Sequence, residues 1–236
     1  MRALLFLLSF FPCLSLPAQK IDGRTVVKDS SGTVYPYNIW LALVRTGDYV
    51  LKVDKAADPN TAFILVRMTE EEKEDRLAKM ARPRESLYFK KGAKFNLGSV
   101  TDINGNKIDL RNNAGKVTVV NFWFIACQPC RTEMPELNKL VEKYAADSVC
   151  FVAIGLDSKR EIENFLKLYP FTYSIVDDGR YLAEGQGVRS YPTHVVIDRE
   201  GKVYFHTSGL STNTVYWIEK SIKELLAKNN TTAAAQ

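Results

Sequence analysis

From residue 94 onward, short runs that are apolar throughout alternate with segments whose apolar residues recur at helical spacing. The runs predict strands over 117–124, 149–155, 171–176, 193–197 and 202–207, and the periodic segments predict helices over 129–144, 158–168 and 214–227. Strands without a polar face belong to a sheet that is covered on both sides, so the pattern predicts an α/β fold with a central mixed sheet flanked by helices. Ahead of them, runs over 95–100 and 107–110 flank Asn104-Gly105-Asn106, which predicts an N-terminal β-hairpin.

Residues 19–90 have a different texture. Apolar runs over 39–44 and 49–53 surround Thr46-Gly47-Asp48 and predict a hairpin, and a third run over 62–66 follows the turn signal Asp58-Pro59-Asn60. Thr69 begins a helix to Met80 as N-cap, with Glu72 completing a capping box. The expectation is a small β-rich module with one helix over 19–90, a seam between Pro83 and Gly92, a second domain over 91–228, and a polar, alanine-rich flexible tail over 229–236.

The first residues predict export. Met1-Arg2 gives a positive start, 3–11 is apolar apart from one serine, and 12–18 turns to small and turn-forming residues, which is the layout of a signal peptide ending at Ala18. The apolar run falls short of the roughly 18–20 residues of a spanning helix, and no small residues precede Cys13 as a lipid-anchor site would require, so no membrane anchoring is expected after cleavage. The expected location is the periplasm or another extracytoplasmic compartment, where disulfides persist. The formal charge of +5 is spread among acids without a basic stripe, which argues against nucleic acid as a partner.

Of the four cysteines, Cys13 goes with the signal and Cys150 sits in an apolar run as a small buried hydrophobe. Cys127 and Cys130 are left, flanking Gln128-Pro129 where a strand gives way to a helix. Free backbone N–H groups and the helix dipole converge there and favour a thiolate, while Pro129 suits the first helical turn. The pair can then open and close as an exposed redox couple, Cys127 attacking a substrate disulfide and Cys130 resolving the mixed one. Competing readings carry less. Zinc wants four soft ligands, and only Cys150, His194 and His206 remain, far along the chain. Haem attachment wants histidine after the second cysteine, where Arg131 stands. A purely structural disulfide would close too short a loop to be a good staple. No organic cofactor and no metal is expected.

The segment 120–135, VNFWFIACQPCRTEMP, resembles the active-site segment of the thioredoxin superfamily. Within it, the chain is similar to the TlpA/ResA-like extracytoplasmic thiol-disulfide oxidoreductases over about 94–228, including Ser190-Tyr191-Pro192-Thr193, but not over 19–90. The resemblance implies a thioredoxin-like fold and several roles. Pro192 matches the cis-proline facing the cysteine pair, with Tyr191 before it in the substrate-docking backbone; a trans proline opening a strand is the competing reading. Glu133 matches a buried acid. It lies on the stripe Cys130, Glu133, Met134, Leu137, Leu140, Val141, Tyr144, where burial raises a carboxyl's pKa and suits it to take the Cys130 proton. The rival reading is a first-turn acid favoured by the dipole. Asn121 stands where thioredoxin has a buried aspartate, and Pro135 matches a helix-bending proline.

Two residues depart from the family pattern. Ala126 stands where tryptophan usually precedes the first cysteine, which predicts a more open Cys127. His194 reads as a packed strand residue. The resulting expectation is an enzyme, a protein thiol-disulfide oxidoreductase with Cys127, Cys130 and Glu133 catalytic and Tyr191 and Pro192 binding substrate. Its partners are disulfide-containing proteins and a membrane or periplasmic thiol donor. The alternatives are a non-catalytic thioredoxin-fold binding protein and, less favoured because no threonine shortly precedes Cys127, a thiol peroxidase.

Overall fold

A computed structural model describes residues 21–54, 62–111 and 115–233. The signal segment, Cys13, the turn at 58–60 and the end of the tail lie outside the described residues. The chain divides into two compact units between Lys73 and Glu74.

In the first unit, β1 (Val26–Lys28), β2 (Val34–Tyr35), β3 (Tyr49–Val53) and β4 (Ala62–Arg67) form one sheet in the order β2-β1-β4-β3. The β1–β2 connection is held by Asp29, whose Oδ1 accepts the N–H groups of Ser31 and Thr33 at 2.9 and 3.0 Å. The expected hairpin over 39–53 is wrong in its first arm: those residues form helix α1 (Tyr37–Arg45), and β3 pairs with β4 instead. A short apolar run has no period of its own. Pro36 precedes the helix with φ −57°, Trp40 is buried, and Leu41, Leu43 and Val44 pack with it on Val27, Phe63 and Leu65. Gly47 at φ 82° then ends the helix, its N–H donating to Val44 C=O at 3.1 Å. Helix α2 (Glu70–Lys79) has the expected capping box: Thr69 Oγ1 accepts from Glu72 N–H, and Glu72 Oε2 accepts from Thr69 N–H.

The second unit contains the β5 (Ser99–Thr101) and β6 (Lys107–Asp109) hairpin and a five-stranded sheet. That sheet is built from β7 (Val117–Trp123), β8 (Val149–Gly155), β9 (Ser174–Val176), β10 (Thr193–Ile197) and β11 (Val203–Ser208). Their order is β11-β10-β7-β8-β9, with β7, β8 and β9 parallel and β10 and β11 antiparallel to their neighbours. Every residue of β7 is buried, because helices cover both faces. Val117, Val119 and Trp123 meet helices α3 (Gln128–Lys143), α4 (Lys159–Leu166) and α6 (Thr214–Ala233) on one face. Val120 and Phe122 meet helix α5 (Arg180–Gly185) and Phe95 on the other.

Three boundaries differ from the sequence reading. Helix α5 has too few apolar residues to show a period and was not foreseen. Helix α6 continues to Ala233, into the expected tail. The seam expected between Pro83 and Gly92 falls earlier, because those residues belong with the second unit: Arg84 C=O accepts from Ser208 N–H and Thr207 Oγ1–H, and Gly92 N–H donates to Val203 C=O. Among the described residues, no helix is long and apolar enough to cross a membrane.

The junction at α5 tolerates no side chain. A Cβ at Gly179 would run into the Ile154 methyl and come within 2.9 Å of Gly155 C=O, whereas one at Gly185 would meet nothing. Gly179→Ala is therefore expected to destabilise the fold by about 1–3 kcal/mol, and Gly185→Ala to be neutral or to stabilise it by up to ~1 kcal/mol. Urea unfolding of the two variants checks the opposite signs.

Candidate active site

Strand β7 delivers the chain to the site. After Trp123 the backbone leaves the sheet and is pinned twice: Leu156 N–H donates to Trp123 C=O at 3.1 Å, and Asp157 Oδ2 accepts from Ile125 N–H at 2.7 Å. Cys127 then sits as N-cap of α3 with extended backbone, φ −75° and ψ 95°. Its sulfur accepts the Cys130 N–H at 3.2 Å, one of the donors that a helix start leaves free. Pro129, with no N–H to lose, occupies the first turn.

Cys127 and Cys130 are joined by a disulfide, S–S 2.05 Å with Cα atoms 5.3 Å apart. The expected openness is not found. Cys127 is 4% exposed and Cys130 2%, although Ala126, Gln128 and Pro129 around them face solvent. Each bonded sulfur covers the other, Cys130 lies on the inner face of α3, and Phe124, Ile125 and Tyr191 pack against the same cluster. The missing indole at Ala126 therefore does not uncover the pair.

Tyr191 and Pro192 are brought to the same place. Thr193 pairs with Phe122, which sets Pro192 level with the end of β7. The Tyr191–Pro192 peptide is cis. Pro192 C=O accepts from Gly209 N–H at 2.8 Å, and Thr193 Oγ1 donates to Ser190 C=O at 2.7 Å. The Tyr191 ring stands edge-on to Phe124, centroids 5.4 Å apart, so the proline loop and the loop before Cys127 touch through two aromatic rings.

Glu133 lies one helical turn after Cys130, on the buried stripe of α3, and is 4% exposed. Its partner was not foreseen. His194 Nε2 lies 2.7 Å from Glu133 Oε1, and His194 is completely buried. Asn121 Nδ2 lies 3.3 Å from His194 Nδ1. The same nitrogen is 3.4 Å from Nε2, so it does not choose between the ring nitrogens. A Glu133 carboxylate can only accept, so Nε2 carries the ring hydrogen and donates to it. The signal was present in the sequence. Asn121 and His194 are polar residues in otherwise apolar strands, they pair in register, and alternation puts them on the Trp123 and Val196 face that packs on α3. The buried Tyr173 hydroxyl lies near them, its pKa pushed well above the usual range by burial first and by the charge of Glu133 second.

The arrangement is a dithiol–disulfide couple at a helix start, next to a cis-proline loop, with a carboxyl group buried beneath it. Comparison with known proteins agrees. The model of the AhpC/TSA family matches residues 91–206 and leaves the first unit outside. The thiol-disulfide oxidoreductase ResA of Bacillus cereus is 35% identical over 133 residues, covering 53% of this chain and 77% of that protein. A solved structure from Chlorobium tepidum, named as a thiol:disulfide interchange protein DsbE, is 28% identical with a TM-score of 0.54 over 58% of this chain and 99% of its own. A thiol:disulfide interchange protein from Bacteroides sp. shares the fold at 21% identity, with a TM-score of 0.50 over 58% of this chain and 93% of its own. The chain thus belongs to the thioredoxin-fold, ResA-like thiol-disulfide oxidoreductases of the AhpC/TSA family.

Proposed function

We propose that this chain is an exported enzyme that reduces or exchanges disulfides in protein substrates through Cys127 and Cys130. One observation carries the reading: the Cys127 sulfur sits at a helix start, accepts the Cys130 N–H, and is bonded to the sulfur that would resolve it. In the reduced chain the same N–H and the helix dipole favour a Cys127 thiolate.

The thiolate attacks one sulfur of a substrate disulfide docked beside Tyr191 and Pro192. The substrate S–S bond breaks, one substrate sulfur leaves as a thiolate and takes a proton from water, and a Cys127–substrate disulfide forms. Cys130 then gives its S–H proton to Glu133 and attacks the Cys127 sulfur. The second substrate sulfur leaves. Two electrons have passed to the substrate, and the chain ends with its own disulfide closed. A further turnover needs a thiol donor, for which we propose a membrane or periplasmic thiol protein. The extracytoplasmic setting is inferred from the charged start and apolar run of the first residues. Reduction is the direction we propose, on the resemblance of the active-site segment to the TlpA/ResA-like oxidoreductases.

One observation favours a second reading. Cys127 is almost covered, as it would be in a binding protein whose disulfide stays closed. Trapping separates the two. Cys130→Ser, reduced and mixed with a disulfide-linked peptide, is expected to accumulate a covalent adduct on Cys127 that Cys127→Ser does not form. Absence of the adduct would leave the binding-protein reading. With both cysteines present, Glu133→Gln is expected to slow the resolving step by roughly a hundredfold, read by quenching the reaction and following loss of the mixed disulfide over time.

A further inference from the structure

The acid beneath the disulfide is held by only one of its oxygens. Glu133 Oε1 takes the His194 Nε2–H, while Oε2 is buried with no hydrogen-bond partner in the protein among the described residues. A buried carboxylate oxygen left without a donor is costly, and native structures keep few of them. Here the open oxygen belongs to the residue one turn from Cys130, where helical spacing brings side chains to about 5–6 Å between Cβ atoms. Four polar groups surround Glu133. His194 comes from β10, Asn121 from β7 behind it, and Tyr173 from the segment entering β9, its hydroxyl likewise buried without a partner. Cys130 comes from α3 itself.

We infer that His194 is a positioning residue for the resolving step: its Nε2–H fixes Glu133 Oε1, so that Oε2 is the atom that receives the Cys130 proton. The inference rests on the role given to Glu133 above and adds how the carboxyl is oriented. The geometry gives each group one task. The Glu133 carboxylate, which can only accept, selects the Nε2–H form of His194, and the Asn121 amide nitrogen lies 3.3 and 3.4 Å from the two ring nitrogens. His194, with no exposure to water, cannot turn to another partner. The carboxyl plane is thereby set, and its second oxygen is kept for a proton. In the step, the Cys130 S–H bond breaks, the proton moves to Oε2, and the sulfur's electron pair attacks the Cys127 sulfur as the substrate thiolate leaves. Glu133 returns the proton to the Cys130 sulfur when the disulfide next opens, which restores the S–H for the next turnover. No oxidant or reductant beyond the substrate disulfide is needed.

Ellman's reagent reads the two steps separately. Attack by Cys127 releases one thionitrobenzoate, and attack by Cys130 on the mixed disulfide releases the second. Every protein compared, including the reference, carries Cys13→Ser and Cys150→Ser, so that only the active-site pair reports. His194→Leu is expected to slow the second release by ~10-fold or more and to move its pH midpoint, with the first release within about twofold. His194→Gln, which keeps an N–H donor, is expected to recover most of the rate. Unchanged second release in His194→Leu, or equal slowing of both releases, would overturn the inference. Glu133→Gln separates this from the reading beneath it: if that change leaves the second release unaffected, the proton role of Glu133 fails, whereas a slow Glu133→Gln with a normal His194→Leu removes His194 alone. Should His194→Leu not fold, nitrogen-15 imidazole spectra of the otherwise unaltered reduced chain decide. The Nε2–H tautomer of His194 is required, and the Nδ1–H tautomer contradicts it.

Discussion

Everything at this site depends on a buried strand ending where a helix begins. Strand β7 is enclosed on both faces, so its backbone polar groups are satisfied by β8 and β10 and its direction is fixed by the sheet. The next element starts with N–H groups that no helical carbonyl can reach. Cys127 occupies that start, and its sulfur takes one of them. The chemistry of the pair follows from that placement more than from any charged neighbour. Asp157 and Leu156 serve it indirectly, since they fix the loop that brings Cys127 to the right end of α3.

Below the sulfurs the core changes character. Trp123, Met134, Leu137 and Phe165 make an apolar interior in which an acid and an imidazole are buried from solvent. A polar group survives in such surroundings only through its partners. Glu133, His194 and Asn121 supply one another across α3, β10 and β7, the three elements that also carry the cysteines and Pro192. The same register that sets Pro192 level with the end of β7 also sets His194 opposite Asn121. The cis-proline loop and the buried polar layer are thus consequences of one strand pairing.

What could be read in the sequence divides along physical lines. Strands β7, β8 and β10 were legible because burial on both faces leaves largely apolar runs, and α3 because its stripe is long. Cys127 and Cys130 were legible from their place at a strand-to-helix junction, Glu133 from an acid on an apolar stripe, and the cis-proline position from resemblance and spacing. Helix α1 was misread since 39–44 is too short to show a period, and its packing on Val27 and Phe63 decided it. The covering of Cys127 and the Glu133–His194 bond were missed for another reason. Both depend on groups far apart in the chain, Tyr191 with Phe124 and His194 with Glu133, and local pattern marks the polar residues in the strands without saying which of them meet.

The central claim concerns the ionisation of one sulfur, and it can be measured on the reduced chain alone. Thiolate absorbance in the ultraviolet, followed against pH and assigned by its loss in Cys127→Ser, gives the titration of Cys127 directly. The account predicts a midpoint well below the ~8.5 of an ordinary cysteine, because the charged form is held by the helix start. A midpoint at or above that value would mean that the backbone donors at the helix start do not activate this sulfur, and the account would fail at its first step.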